Sequence, residues 1–112
     1  MVTKTAVRAL SALAQDSRLG VFRCLVQAGP EGLAAGDIAK RTRIAPSSLS
    51  FHLKALTHAE LVRPRQDGRF IFYTANFATM NGLLSFLTEN CCGGQECSVA
   101  CGPASADKRR SS

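Results

Sequence analysis

Apolar residues recur at helical spacing in five stretches of this chain and alternate with polar ones in two more. Ala6, Val7, Leu10, Leu13 and Ala14 form the first helical stripe. Asp16 is placed to cap a second helix whose apolar face holds Leu19, Phe22, Leu25 and Val26, and Gly29-Pro30 stops it. A short third helix fits Ala35 to Thr42, with Ile38 and Ala39 inward, and Ile44-Ala45 makes a tight turn into a fourth. Pro46 suits the first turn of that fourth helix, where its missing N–H would have no partner anyway. Leu49, Leu53 and Leu56 at i, i+4 and i+7 define a buried stripe, so Ser47, Ser50, Phe51 and Lys54 point mainly the other way. Next, LVRPRQ and RFIFYT flank Asp67-Gly68, a strong short-range signal for a β-hairpin. Pro64 lacks a donor for the ladder and marks an edge position. A last amphipathic helix carries Phe77, Met80, Leu83, Leu84 and Leu87 and ends near Asn90. The expected fold is mainly α with a small β-hairpin, a winged helix-turn-helix.

Charge adds a direction to this pattern. The net charge of +6 is concentrated between Lys40 and Tyr73, where Lys40, Arg41, Arg43, Lys54, Arg63, Arg65 and Arg69 face only Glu60 and Asp67. Such a local excess is the electrostatic footprint expected of a nucleic-acid partner, although a solvated basic face would show it too. Small hydroxyl side chains on an outward helix let the backbone approach the major groove while offering hydrogen bonds to phosphates and base edges. Phe51 has two readings, contact with a thymine methyl group or folding back onto the hairpin. His52 borders the buried stripe and reads as a hydrogen-bonded packing residue in preference to a base reader. Arg63, Arg65 and Arg69 place charge on a hairpin whose tip would reach phosphates beside the groove.

With 112 residues, 46% of them hydrophobic, the chain fits one globular domain with a thin core, which favours a compact helical fold or dimerisation. No apolar run approaches the roughly 18 residues of a membrane span. The N-terminus interleaves Lys4, Arg8 and Ser11 with its apolar residues, unlike a signal peptide. A cytoplasmic location is the expectation. In a reducing compartment clustered cysteines serve as metal ligands or redox groups more often than as structural disulfides.

Four of the five cysteines, Cys91, Cys92, Cys97 and Cys101, follow the last helix in the order CCxxxxCxxxC. Soft thiolates select thiophilic ions. Trivalent arsenic or antimony forms three bonds to sulfur in a pyramid, so Cys91, Cys92 and Cys97 would suffice, with Gly93-Gly94 giving the backbone freedom to fold back. Cys101 is available as a fourth ligand, and four thiolates equally suit tetrahedral Zn(II) or Cd(II). A purely redox switch is a third reading. Cys24, on the apolar side of the second helix, reads as a buried small hydrophobe. The chain thus divides into a winged-helix DNA-binding and dimerisation domain over 1–90, a cysteine-rich inducer-binding segment over 91–101 and a basic, disordered tail over 102–112.

From about Ala9 to Leu87 the chain resembles the ArsR/SmtB winged-helix repressors. The resemblance is carried by DSRLGVFRCLVQAG, by GDIAKRTRIAPSSLSFHLKALTHAELV and by RQDGRFIFYT. It implies a homodimer that binds double-stranded operator DNA without inducer and leaves it when a metal or metalloid binds. On that pattern Ser47, Ser48, Ser50 and His52 match recognition-helix positions, and Arg65, Asp67 and Gly68 match the wing. Many arsenic-sensing relatives carry a CxC pair at the start of the third helix, but this chain has Ala34 and Gly36 there. Zinc-sensing relatives place histidines on the final helix, and TANFATMNGLLSFLTEN has none. The C-terminal cluster looks like that of members in which a vicinal cysteine pair and a following cysteine bind trivalent arsenic. Two other classes fit less well. A thiol enzyme lacks support from any CxxC, Gly-rich cofactor loop or acid-base constellation, and a constitutive DNA binder with structural zinc would unfold on chelation.

Overall fold

Alanine, not leucine, sets the inner face of the first helix. A computed structural model describes residues 1–89, and in it α1 (Thr3–Leu13) buries Ala6, Ala9 and Ala12. Small side chains let the helix come close to its neighbours. Val7 and Leu10, expected inward, are instead 54% and 42% exposed. The expectation for α2 (Asp16–Ala28) changes in a similar way: Val21, Phe22 and Leu25 are buried, Val26 is half-buried, and Leu19 faces outward. Its N-cap is Gln15, not Asp16, because the Gln15 side chain accepts from the Arg18 backbone N–H at 3.1 Å. Asp16 sits in the first turn, where its charge complements the helix dipole. Gly29, at φ 82°, ends the helix with its N–H directed at the carbonyls of Leu25 and Val26.

The chain then makes a two-residue strand, β1 (Leu33–Ala34), followed by α3 (Ala35–Thr42) and α4 (Pro46–His58). β2 (Val62–Asp67) and β3 (Phe70–Ala75) form the expected hairpin, and α5 (Phe77–Leu87) closes the order. The sheet is antiparallel in the order β1-β3-β2, so the hairpin gains a third strand that the sequence pattern did not announce. β2 is an edge strand, as Pro64 requires. Asp67 still pairs with Phe70, so the two-residue loop is Gly68-Arg69 and not Asp67-Gly68. Gly68 carries the positive φ, 64°, that the first central position of a II′ hairpin turn demands.

Leu25, Ile38, Leu49, Leu56 and Leu61 are among the fully buried side chains. They bring α2, α3, α4 and the start of the wing into one core. Truncating such a leucine to alanine costs about 3 kcal/mol. Ile38 is inward as expected, while Ala39 is half-buried. Leu83 is the buried residue of α5, with Phe77 and Met80 packed against the core, whereas Leu84 and Leu87 are more than half exposed. Cys91, Cys92, Cys97 and Cys101 and the 102–112 tail lie outside the described residues. Among the described residues no helix is long and apolar enough to cross a membrane.

Candidate nucleic-acid interface

The turn between α3 and α4 is made by a residue in an unusual conformation. Arg43 adopts φ 62°, ψ 30° at the C-cap of α3, and its N–H donates to the Ala39 carbonyl at 2.8 Å. The left-handed step reverses the chain at once, and Thr42 Oγ1 donates to the Ile38 carbonyl at 2.7 Å in the same turn. Three residues after Arg43, Pro46 opens α4. Leu49, Leu53 and Leu56 lock this helix against the core, at 1%, 3% and 0% exposure. The opposite side is thereby forced outward, and Ser47, Ser48, Ser50, Phe51 and Lys54 are all exposed.

Phe51 does not fold onto the hairpin. Its ring is 64% exposed, with the Arg18 guanidinium carbon 5.8 Å from its centroid. His52 is buried at 8% exposure and Arg18 Nε donates to its Nδ1 at 3.4 Å. That is the packing role read from the sequence, and it turns His52 away from the surface that bears the serines. The two rings meet edge to face at 6.0 Å. A groove of about 410 Å³ runs beside the helix, with Arg8, Arg18, Phe51, Lys54 and His58 among its lining residues. Arg18 was not singled out by sequence reasoning. Its partners lie far along the chain, and no local spacing links them.

On the wing, Arg63, Arg65, Asp67, Gly68 and Arg69 are all exposed. The register pairs Arg65 with Phe72 and Pro64 with Tyr73. Cross-strand partners share a face, so Arg65 shares a sheet face with Phe72, and Pro64 shares the other with Tyr73, which packs against the core. Arg65 is also held in place. One of its nitrogens, Nη2, donates to the Glu31 carbonyl at 3.0 Å, its guanidinium carbon is 5.1 Å from the Phe72 centroid, and Nη1 lies 3.9 Å from Asp67. The ion pair is exposed and contributes little by itself; the carbonyl contact fastens the wing to the loop before β1. Arg69 stands at the turn itself, beside the exposed Phe70.

Away from this surface, Cys24 is half-buried, not fully buried as expected. It lines a cleft of about 470 Å³ with Arg23, Gln27 and Arg41 among others. Burial pushes its thiol pKa up, and the positive charge of Arg41 pulls partly against that shift. Among the described residues no three histidine, cysteine or carboxylate side chains gather in a way that could hold a metal ion.

A helix that presents small hydroxyls outward, delivered by a tight turn and flanked by a basic hairpin, is built like the reading head of a winged helix-turn-helix regulator. Comparison with known proteins agrees. Residues 13–65 match a helix-turn-helix domain family. The chain is similar to the arsenical resistance operon repressor of Bacillus subtilis, with 36% identity over 81 residues, 72% of this chain and 73% of that one. It is also similar to the transcriptional repressor SdpR of the same organism, with 34% identity over 61 residues, 51% of this chain and 68% of the relative. Among solved structures, a homodimeric winged helix-turn-helix DNA-binding domain from Mycobacterium bovis superposes with a TM-score of 0.62 at 25% identity, covering 84% of this chain and 87% of that one. The chain belongs to the ArsR family of winged helix-turn-helix transcriptional repressors.

Proposed function

We propose that the protein is a metalloid-responsive repressor. It binds operator DNA as a homodimer and is released when trivalent arsenic, or antimony, is bound by the thiolates of Cys91, Cys92 and Cys97. The observation that carries this reading is the separation of two chemistries along one chain. Ser47, Ser48, Ser50, Phe51 and Lys54 on α4 meet DNA together with Arg63, Arg65, Asp67, Gly68 and Arg69 on the wing. Four of the five cysteines follow α5 in sequence. The donor set suits a pyramidal ion that needs three sulfurs, and the described residues offer it no competing cluster. The likeness to an arsenical resistance operon repressor supports the same choice.

Dimerisation is supported by apolar surface that the single chain leaves uncovered. Val7 and Leu10 on α1 and Leu84 and Leu87 on α5 are each 42–56% exposed, and α1 and α5 are in contact. A seam between copies there would set the spacing of two recognition helices over successive half-sites about one helical turn apart. The thiols follow directly on α5, so an ion that draws them together favours one seam geometry over another. A ligand shifts such an equilibrium only through differential affinity. A hundredfold loss of operator affinity corresponds to about 2.8 kcal/mol of coupling, within the usual allosteric range. A second reading, a Cd(II) or Zn(II) sensor, is favoured by the fourth thiol, Cys101, which would complete a tetrahedron. Titrating the reduced protein on its operator with arsenite, antimonite, Cd(II) and Zn(II) in parallel separates these readings. Release by arsenite or antimonite at the lowest concentration supports the first, and release by Cd(II) or Zn(II) alone supports the second.

A further inference from the structure

Arg18 stands on α2, outside the α3-turn-α4 unit, yet its guanidinium engages two consecutive residues of α4. Its Nε donates to His52 Nδ1 at 3.4 Å, and its carbon lies 5.8 Å from the centre of the Phe51 ring. The arginine is anchored at its own end, because its backbone N–H donates to the Gln15 side chain. Among the described residues it forms no ion pair with a carboxylate. Both described contacts of the guanidinium are thus with the recognition helix.

Phe51 needs such a support. A phenylalanine that is 64% exposed loses rotamer freedom if it is to present one fixed face. Here the ring is confined from two sides, by a cation within cation–π range and by the edge of His52 at 6.0 Å and 68°. It shares the outward surface of α4 with Ser47, Ser50 and Lys54. In the major groove the C5-methyl group of thymine is the apolar feature that base edges offer, and an aromatic ring is its complement. We propose that Arg18 is a positioning residue for DNA reading: it holds Phe51 where the ring meets a thymine methyl group, and it makes Phe51 a specificity-determining residue. The inference rests on the DNA-binding reading above. A lysine could keep the charge but not the geometry, because only the planar guanidinium can stack on one ring while its Nε donates to the other.

The test uses the duplex that the full-length protein prefers when it selects from a random pool, with each thymine replaced in turn by deoxyuridine, which lacks the methyl group. In the parent one thymine per half-site should show about a fourfold loss of affinity, the worth of one buried methyl group. That penalty should vanish in Phe51→Ala. It should also vanish or shrink clearly in Arg18→Lys, while the salt dependence and thermal midpoint of that variant match the parent. Arg18→Gln removes the cation but keeps an N–H donor; it should lose the penalty with the salt slope unchanged, and it serves in place of Arg18→Lys if the lysine variant does not fold. Absence of a methyl penalty at every thymine in the parent overturns the inference, as does a full penalty retained in the Arg18 variants. A salt slope lowered by about one unit in Arg18→Gln, with the penalty intact, would make Arg18 a phosphate contact instead. A parent that selects no sequence at all would overturn the DNA-binding reading itself.

Discussion

The side-chain amide of Asn76 donates to the backbone carbonyl of Glu60 at 2.9 Å, joining the exit of α4 to the entrance of α5. Asn76 also caps α5, its Oδ1 accepting from the Thr79 N–H at 3.3 Å, and its own N–H donates to the Leu61 carbonyl at 2.8 Å. The residue itself is only 7% exposed. Asn76→Ala should destabilise the fold by about 2 kcal/mol, from the lost cap and the lost hydrogen bond to the Glu60 carbonyl. Asn76→Asp keeps the cap but brings a carboxylate against the Glu60 carbonyl, and it should not restore stability. Denaturant unfolding of both variants decides this; a loss confined to a few tenths of a kcal/mol would show that the link between the two helices is dispensable.

Gly32 makes a second close approach. Its φ is +76°, and a Cβ there would run into the Tyr73 carbonyl and the Thr74 methyl group of β3. Gly32→Ala should destabilise by more than about 1 kcal/mol, because backbone strain and steric clash add. The β1–β3 pairing of Leu33 with Tyr73 should loosen first. Amide exchange at Leu33 and Tyr73, faster in the variant than in the parent, is the expected observation, and unchanged exchange would contradict it.

The parts of this fold that were legible in the sequence are those with a dense local pattern. Leu49, Leu53 and Leu56 lie at helical spacing behind a proline that fits a first turn, and the helix they imply is the one observed. The third helix likewise runs from Ala35 to Thr42. Pattern failed where size mattered more than hydrophobicity: Ala6, Ala9 and Ala12 are buried because they permit close approach, while the larger Val7 and Leu10 are left outside. It failed again at the hairpin tip, where Asp-Gly marked the turn but the turn geometry puts glycine first and leaves Asp67 paired with Phe70. A strand of two residues is too short to carry a period, so β1 was invisible. At the site, the outward serines followed from the stripe opposite them. The contacts of Arg18 and Arg65, each spanning 34 positions, had no local signature.

Two of the wing's three arginines, Arg65 and Arg69, should behave differently on DNA. Arg69 lies in the turn, and Arg69→Ala should lower the salt slope of binding by about one unit without changing the thermal midpoint. Arg65 is tied to the Glu31 carbonyl and lies over the Phe72 ring. Arg65→Ala should weaken binding to specific and nonspecific DNA alike and lower the slope, as a phosphate contact requires, and should also lower the thermal midpoint by loosening the wing. Salt titrations of both variants alongside melting curves test this; slopes equal to the parent's in both would remove the wing from the DNA interface.

Ser47 and Ser50 are exposed and have no hydrogen-bond partner among the described side-chain contacts. Replacing either by alanine should leave the midpoint of unfolding within about 0.5 kcal/mol of the parent. Operator affinity should fall by about 1 kcal/mol for each, the worth of one ordinary hydrogen bond. Parent-like affinity in both folded variants would mean that a different face of α4 reads the DNA.

On the proposal above, reading and sensing reside in different residues of one chain, and single cysteine variants separate the two through operator release measured against arsenite concentration. Serine keeps the size of cysteine but offers a hard oxygen that a soft ion disfavours. Cys91→Ser, Cys92→Ser and Cys97→Ser should each bind operator nearly as the parent does and fail to release it, or release it only at far higher arsenite. Cys24→Ser should respond like the parent, since the half-buried thiol has a raised pKa and no clustered partners. Cys101→Ser should show at most a partial defect. Full release from the variants at Cys91, Cys92 and Cys97 would contradict the account, and loss of response in Cys101→Ser alone would move the fourth thiol to the centre of the site.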